Sequence, residues 1–209
     1  MKLAFVHGWG FDSSVFDGLR VNFPGCRVLE RGYFGASTGA LPDEDFVAVT
    51  HSFGTMRLLA ALPSTCRGIV AINGFDRFCA GPDFPGVPLR IIDRMIARFS
   101  DAPRQVVAEF RNRCGCDEPF GSMDEERLRT DLAALRDGDC RKHVARSGLP
   151  FLSLQGGRDP ILPPEMRCAV FAQAGRCERI TLENSGHLLP LQEPATCAEA
   201  ISAFMERLP

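Results

Sequence analysis

The chain has 209 residues, of which 45% are apolar and 24% are charged, and its formal net charge at pH 7 is −2. These values are ordinary for one compact domain with a full core, and the small net charge gives no sign of nucleic-acid binding. No apolar run approaches the length of a membrane span, so we expect no membrane association. Residues 1–7 carry one lysine and no cleavage-site pattern, which predicts a first strand and not a signal peptide.

The first third of the chain alternates short apolar runs with helical patterns. Strands are predicted over residues 2–6, 27–30, 46–51 and 67–73, and helices over residues 15–21 and after Ser52. The segment between the second and third strands leaves little room for a helix, so we expect a loop crossover there. This alternation predicts an α/β fold with a mostly parallel sheet.

The middle of the chain has a different character, because strand patterns disappear between residues 76 and 147. Helices are predicted over residues 90–99, from Pro103, and from a capping box at residues 122–125. Strands return at residues 151–155 and 179–182, with helices predicted at residues 164–174 and 195–208. We therefore predict a core formed by residues 1–75 and 148–209, with residues 76–147 as a helical lid.

The third strand ends at a sharp turn, His51-Ser52-Phe53-Gly54, before a helical pattern begins. Such a turn exposes the Ser52 hydroxyl at the edge of the sheet and directs the next amide toward the same space. A serine is a good nucleophile only beside a base, and the oxyanion that it creates needs fixed donors. The motif departs from Gly-x-Ser-x-Gly, because Thr50 occupies the first glycine position, so an ordinary strand-to-helix turn is the alternative.

Asp159 and His187 also follow predicted strands, and the chain order is serine, acid, histidine. The carboxyl ends of parallel strands share one edge, so these side chains can converge there. In this arrangement His187 is the base for Ser52, and Asp159 orients the imidazole. The amides of Phe53 and Trp9 are the candidate oxyanion donors.

Several other side chains are alternatives to these assignments. Asp76 follows the fourth strand and is a rival acid, while His7, after the first strand, is interpreted as structural. Nine scattered cysteines without a Cys-x-x-Cys motif favour reduced thiols in a cytoplasmic protein. A redox role for the close pair Cys114 and Cys116 is the alternative, and their surroundings lack the further ligands of a zinc site.

The motifs around His7–Gly10, Ser52, residues 156–160 and Gly186-His187 resemble those of α/β-hydrolases. Over nearly the whole chain the sequence is similar to the pimeloyl-acyl-carrier-protein methyl ester esterases of biotin synthesis. The resemblance implies a triad of Ser52, Asp159 and His187, and Trp9 and Phe53 lining the site. It also implies that one lid stretch contacts the acyl chain: Phe110, Arg111, Asn112, Arg113 and Cys114. Besides Thr50, this sequence departs from the family at Thr55, where a glycine is common, and in its near-absent helix before the third strand.

Basic residues outnumber acidic ones between residues 77 and 113 of the lid segment. A positive lid would attract an acidic carrier protein, and a merely solvated helix face is the alternative. In the family that the sequence resembles, lid arginines grip the carrier. The arginines expected to take part are Arg94, Arg98, Arg104 and Arg111.

These observations predict a monomeric cytoplasmic serine carboxylesterase that hydrolyses the methyl ester of pimeloyl carrier protein and needs no metal or cofactor. A generalist short-acyl esterase or thioesterase with the same triad is the first alternative. A hydrolase-fold protein that binds a ligand without turnover is the second, and an intact triad disfavours it.

Overall fold

The computed structural model describes residues 1–208. Within them, one six-stranded sheet has the order β2-β1-β3-β4-β5-β6, and every neighbouring pair is parallel. The strands are β1 (Lys2–Val6), β2 (Arg27–Leu29), β3 (Phe46–His51), β4 (Cys66–Ile72), β5 (Pro150–Gly156) and β6 (Arg176–Leu182). Strands β3 and β4 are almost entirely buried, as expected for a sheet that helices cover on both faces.

Helices flank the sheet and fill the long connection between β4 and β5. They are α1 (Asp17–Arg20), α2 (Gly54–Ala60), α3 (Leu89–Asp101), α4 (Pro103–Arg113), α5 (Glu125–Asp137), α6 (Arg141–Ser147), α7 (Pro164–Ala169), α8 (Leu189–Gln192) and α9 (Pro194–Glu206). A 3-10 helix, Ser13–Phe16, precedes α1. Helix α1 packs against α8 and α9, α2 packs against β1 and β3, and α3 packs against α4 and α5. No helix within residues 1–208 is long and apolar enough to cross a bilayer.

The predicted fold class is confirmed, and the differences concern the ends of elements. Helix α5 begins after Asp124, whose carboxylate accepts the Arg127 amide, so the predicted capping box starts two residues too early. The helix predicted over residues 164–174 ends at Ala169, because Val170 is extended and Phe171 takes a φ of 57°. Helix α6 was not expected from the sequence. The division into a core and a lid remains a prediction, and helices α3 to α6 occupy the segment assigned to the lid.

Close backbone contact fixes the start of α2 against the end of β1. A Cβ atom added to Gly54 would lie 2.3 Å from the carbonyl oxygen of Val6 and 2.6 Å from that of His7. Both neighbours are backbone atoms, one in the last residue of β1 and one in the residue that follows it, so they have little room to move away. Gly54 therefore lets the helix that follows Ser52 approach the sheet closely.

We predict that Gly54→Ala destabilises the fold by about 1–3 kcal/mol, the usual cost of overpacking a tight site. The measurement is the urea midpoint followed by circular dichroism. Gly35→Ala is the matched control, because a Cβ atom at Gly35 meets nothing within 4 Å. Equal midpoints for the two variants would contradict the assigned role of Gly54.

Candidate active site

Ser52 lies at the apex of the turn between β3 and α2. Its φ of 52° falls in the left-handed region, which costs a non-glycine residue about 1–3 kcal/mol. Two hydrogen bonds hold the turn: the Ser52 amide donates to the Ile72 carbonyl at 3.0 Å, and the Thr55 amide donates to the Ser52 carbonyl at 3.1 Å. The surrounding structure thus maintains a strained nucleophile-type turn at the carboxyl edge of the sheet.

Thr50, in the position where the family motif has a glycine, is accommodated by a gap beside β4. Its hydroxyl lies 2.7 Å from the Thr55 hydroxyl and donates to the Val70 carbonyl at 3.3 Å. A Cβ atom on Gly74 would lie 2.1 Å from Oγ1 of Thr55. Gly74 therefore leaves the room that the two threonines need, and both departures from the family pattern have one structural explanation.

Ser52, His187 and Asp159 form a continuous hydrogen-bonded chain. Nε2 of His187 lies 3.0 Å from Oγ of Ser52, and Nδ1 lies 2.8 Å from Oδ2 of Asp159. An ionised carboxylate only accepts hydrogen bonds, so Nδ1 carries the proton and Nε2 is free to accept the one from the serine. Side chains that the sequence places far apart therefore meet with the geometry of a nucleophile, a base and an orienting acid.

Asp159 is held as a carboxylate although it is buried. Burial acts to raise its pKa, but the charge and hydrogen bond of His187, with the Ile161 and Leu162 amides, outweigh burial and lower it. Those amides donate to Oδ1 at 2.7 and 3.2 Å. One carboxylate oxygen is thus fixed by the backbone, which leaves the other to orient the imidazole.

Asn73 and His51 hold the loop that carries His187. The Asn73 side-chain nitrogen donates to the carbonyls of Gly186 and His187, both at 2.9 Å, while its side-chain oxygen accepts the Gly156 amide at 2.8 Å. The His51 ring also donates, from Nε2, to the His187 carbonyl at 2.9 Å. Sequence reasoning gave neither residue a role, although Asn73 follows a strand at the same edge as Asp159.

His51 remains neutral in this position. Burial lowers the pKa of His51 to about 3, and electrostatic repulsion from the neighbouring His187 acts in the same direction. Because Nε2 carries the proton that is donated to the His187 carbonyl, Nδ1 has a lone pair, and it finds no partner among residues 1–208. The ring therefore supports the loop that carries His187 as an uncharged donor.

Asp76, the alternative acid, and His7 are bonded to residues other than Ser52 and His187. The Asp76 carboxylate accepts the Phe171 amide at 3.1 Å, and burial raises its pKa to about 6, whereas the acid that contacts His187 is Asp159. His7 is buried and bonds to the Gly8 carbonyl and the Arg31 amide. It also contacts Glu30, whose pKa falls to about 2: burial opposes this shift, and the hydrogen bond and charge of His7 outweigh it.

The candidate oxyanion donors flank the serine. A Cβ atom on Gly8 would lie 2.9 Å from Cβ of Ser52, so the backbone just before Trp9 touches the turn. Phe53 precedes the first residue of α2, where an amide has no acceptor within the helix. The Trp9 ring is buried, and its indole nitrogen donates to the Leu128 carbonyl at 2.8 Å, which joins the site to α5.

A cavity of about 350 Å³ lies between Trp9 and helices α3 and α4. Its apolar lining includes Trp9, Phe110 and Ile161, with Arg113 also at its wall. Ser52 is not in the lining, but the Ile161 amide donates to Asp159, so the cavity ends beside the triad. Its volume lies within the range of small-molecule sites.

The other residues expected from the lid stretch do not line this cavity. Asn112 is exposed on a different depression, and Cys114 is buried. Arg111 is 7% exposed, donates to the Gly10 carbonyl at 3.1 Å, and has its guanidinium 5.0 Å from the Phe11 ring centroid. Phe53 lines a second cavity beside α2.

The four arginines expected to dock a carrier differ in their availability. Arg111 is buried, which removes it from the surface, and Arg104 is held by the carbonyls of Phe120 and Gly121. Arg98 pairs with Glu109 through two contacts of 2.7 Å, both exposed to solvent. Arg94 is exposed and lines the cavity, with no hydrogen-bond or ion-pair partner among residues 1–208.

Comparisons with known proteins bear on the fold and the family. A relative from Xanthomonas campestris, named pimeloyl-acyl-carrier-protein methyl ester esterase, is 24% identical over 99% of this chain and 96% of its own. An esterase structure from Exiguobacterium antarcticum superposes with a TM-score of 0.83 at 16% identity, covering 99% of this chain and 92% of that one. A bromoperoxidase from Bacillus anthracis gives a TM-score of 0.82 at 15% identity, with 98% and 91% covered.

These structural likenesses establish the fold alone, since proteins named for different reactions share it. The sequence profile described as the alpha/beta hydrolase family matches residues 3–200, which is nearly the whole chain. The chain therefore belongs to the alpha/beta hydrolase family.

Proposed function

We propose that this protein is a serine carboxylesterase with Ser52 as nucleophile, His187 as general base and acid, and Asp159 as the orienting acid. The observation that carries the proposal is the pair of contacts at 3.0 and 2.8 Å that joins the three side chains. A buried relay of this kind supports acyl transfer, because it removes the serine proton as the new bond forms.

The proposed reaction has two halves. Nε2 of His187 takes the Ser52 proton while Oγ attacks the ester carbonyl, and the amides of Phe53 and Trp9 bind the oxyanion. His187 then gives its proton to the leaving alcohol, which departs and leaves an acyl-serine. Water attacks this acyl group with His187 again as base, and the free carboxylic acid and the regenerated serine are the products.

For the substrate, we propose the methyl ester of pimeloyl carrier protein, with methanol as the leaving alcohol. The support is the name of the relatives that align over nearly the whole chain, together with the apolar cavity beside the triad. We further propose that the carrier docks at Arg94 and Arg98 on α3. We also propose that the protein acts in the cytoplasm, because its nine cysteines are unpaired and thiols stay reduced in that compartment. A generalist short-acyl esterase is the alternative, because the same triad serves any accessible ester.

Ser52→Ala is expected to lower ester hydrolysis by about 1000-fold or more, since no other group replaces the nucleophile. The measurement is turnover of methyl pimeloyl carrier protein and of short p-nitrophenyl esters, with labelling by a fluorophosphonate. Ser64→Ala, an exposed serine outside the site, is the matched control and should retain full activity. A natural-sequence protein that neither hydrolyses an ester nor takes the label would refute the enzyme proposal. Cleavage of p-nitrophenyl esters without preference for the carrier substrate would favour the generalist.

Asn73→Asp is expected to lower kcat by about 10- to 100-fold, because a carboxylate in this position faces two carbonyl oxygens and displaces the His187 loop. The rate of fluorophosphonate labelling should fall in parallel, while the midpoint of thermal unfolding reports the structural cost separately. Asn22→Asp is the control, since the Asn22 side chain donates to the Leu19 carbonyl at the end of α1 and bonds to none of the residues of the site. Unchanged kcat in a folded Asn73→Asp protein would show that the loop holds its position without this side chain.

Arg94→Glu with Arg98→Glu is expected to raise KM for the carrier-bound substrate by about tenfold and to spare small esters, because reversed charges repel an acidic carrier. The measurement compares both substrates at low and high salt, where screening should reduce the difference. Arg67→Glu with Arg207→Glu is the matched control, since both arginines form exposed ion pairs away from α3. Equal losses on the two substrates would contradict docking at α3.

A further inference from the structure

A second cavity, of about 620 Å³, lies on the side of α2 away from the triad. It lies beside the stretch in which the chain passes from β2 to β3 without a helix, over residues 30–45. The ends of the first two strands and this loop form one wall, with Val6, Leu29 and Leu41, and helices α2 and α5 form the others. We name this space the α2–α5 cavity.

The charged groups around the α2–α5 cavity are paired with one exception. Arg31 makes two contacts with Asp131, at 2.7 and 2.8 Å, and Asp131 also accepts the Tyr33 hydroxyl at 2.6 Å. Asp137 at the rim is bound by Arg136 at 2.6 Å. Arg57, on α2, lines the same cavity, and among residues 1–208 its guanidinium has neither a hydrogen-bond nor an ion-pair partner.

The Arg57 guanidinium is partly removed from water, and no partner among residues 1–208 compensates for the hydration that it loses. Its Nη1 atom is enclosed and has no acceptor among residues 1–208. Burial lowers the pKa of the guanidinium, with the positive charge of Arg31 acting in the same direction and the negative charges of Asp131 and Glu30 acting against it. Arg57 as a whole is partly exposed, so an anion can reach it. A guanidinium binds a carboxylate or a phosphate through paired donors. Because no partner fixes this guanidinium, it can turn toward an anion that enters the cavity.

We propose that the α2–α5 cavity is a binding site for an aliphatic carboxylate, whose head pairs with Arg57. One uncompensated positive charge matches one carboxylate, and the apolar wall of Val6, Leu29 and Leu41 fits a hydrocarbon chain. A phosphate dianion matches this charge less well. Volumes of this size accommodate small-molecule ligands.

The site adjoins the catalytic serine without overlapping it. Phe53 and Met56 line the cavity, and Phe53 follows Ser52 directly. A carboxylate held by Arg57 therefore contacts the helix that begins at the nucleophile turn. The proposal concerns binding alone and does not depend on the esterase activity.

The test uses protein whose Ser52 is blocked with a fluorophosphonate, or Ser52→Ala if the label does not react, and the Arg57→Gln and Ala61→Trp variants then assign the bound octanoate to the α2–α5 cavity. Octanoate binding is measured by isothermal titration calorimetry. We expect one site, weakened at least tenfold in Arg57→Gln by loss of the charge-assisted hydrogen bonds. Ala61→Trp, which fills the cavity mouth and keeps Arg57, should also abolish binding. Arg67→Gln is the matched control and should bind like the parent, because Arg67 pairs with Asp45 and lines neither cavity.

Circular dichroism confirms the fold of each variant, and Arg57→Lys, which retains the charge, should bind octanoate better than Arg57→Gln. Undetectable binding at millimolar octanoate, or equal affinity in the Arg57→Gln protein, would overturn the proposal. Octanol that binds as tightly as octanoate would show a merely apolar cavity. Octyl phosphate that binds more than tenfold tighter would overturn the assignment to a carboxylate.

Discussion

The structure depends on the parallel sheet bringing the carboxyl ends of β3, β4, β5 and β6 to one edge at very short backbone distances. A Cβ atom on Gly156 would lie 2.2 Å from the Gly186 carbonyl oxygen, so the end of β5 presses directly on the loop of His187. Asn73, at the end of β4, bonds to both partners of that contact. The relay from Asp159 to Ser52 is positioned by this close approach of main chains together with the buried side chains of Asn73 and His51, which bond to the loop of His187.

Much of this arrangement could be predicted because its signals are local. A buried strand, a serine and a helix in sequence predict the Ser52 turn, and Asp159 and His187 follow apolar runs in the same way. The sheet order then places them together without further information. Asn73 and His51 were missed because their roles lie in bonds to the main chain of residues 186–187, more than 110 positions away, and sequence spacing does not contain such a pairing.

For the charged residues of the predicted lid, in contrast, the sequence did not predict which side chains are exposed and which are buried. Seven arginines between residues 77 and 113 look alike in the sequence, yet their environments differ completely. Arg111 lies within an enclosure of Phe11, Phe34 and Phe120, drawn from three distant segments. Partners that only the folded chain brings near decide whether an arginine has a structural role or carries an exposed surface charge. A count of charges in the sequence therefore predicts a positive region, but it does not identify the arginines that produce it.

Two departures from the family pattern have opposite structural consequences. Thr50 fits without disturbing the turn, because Gly74 has no side chain and leaves the space that Thr50 and Thr55 fill. Where the connection between β2 and β3 has no helix, a cavity of about 620 Å³ lies beside α2, with Leu29 and Leu41 in its wall. Leu29 and Leu41 are only partly buried there and forfeit burial worth about 25 cal/mol per Å² of apolar area, and the unpaired Arg57 guanidinium adds to that loss. Both losses fall when a molecule with an apolar chain and one negative charge occupies the space, which is the physical reason to expect a ligand there.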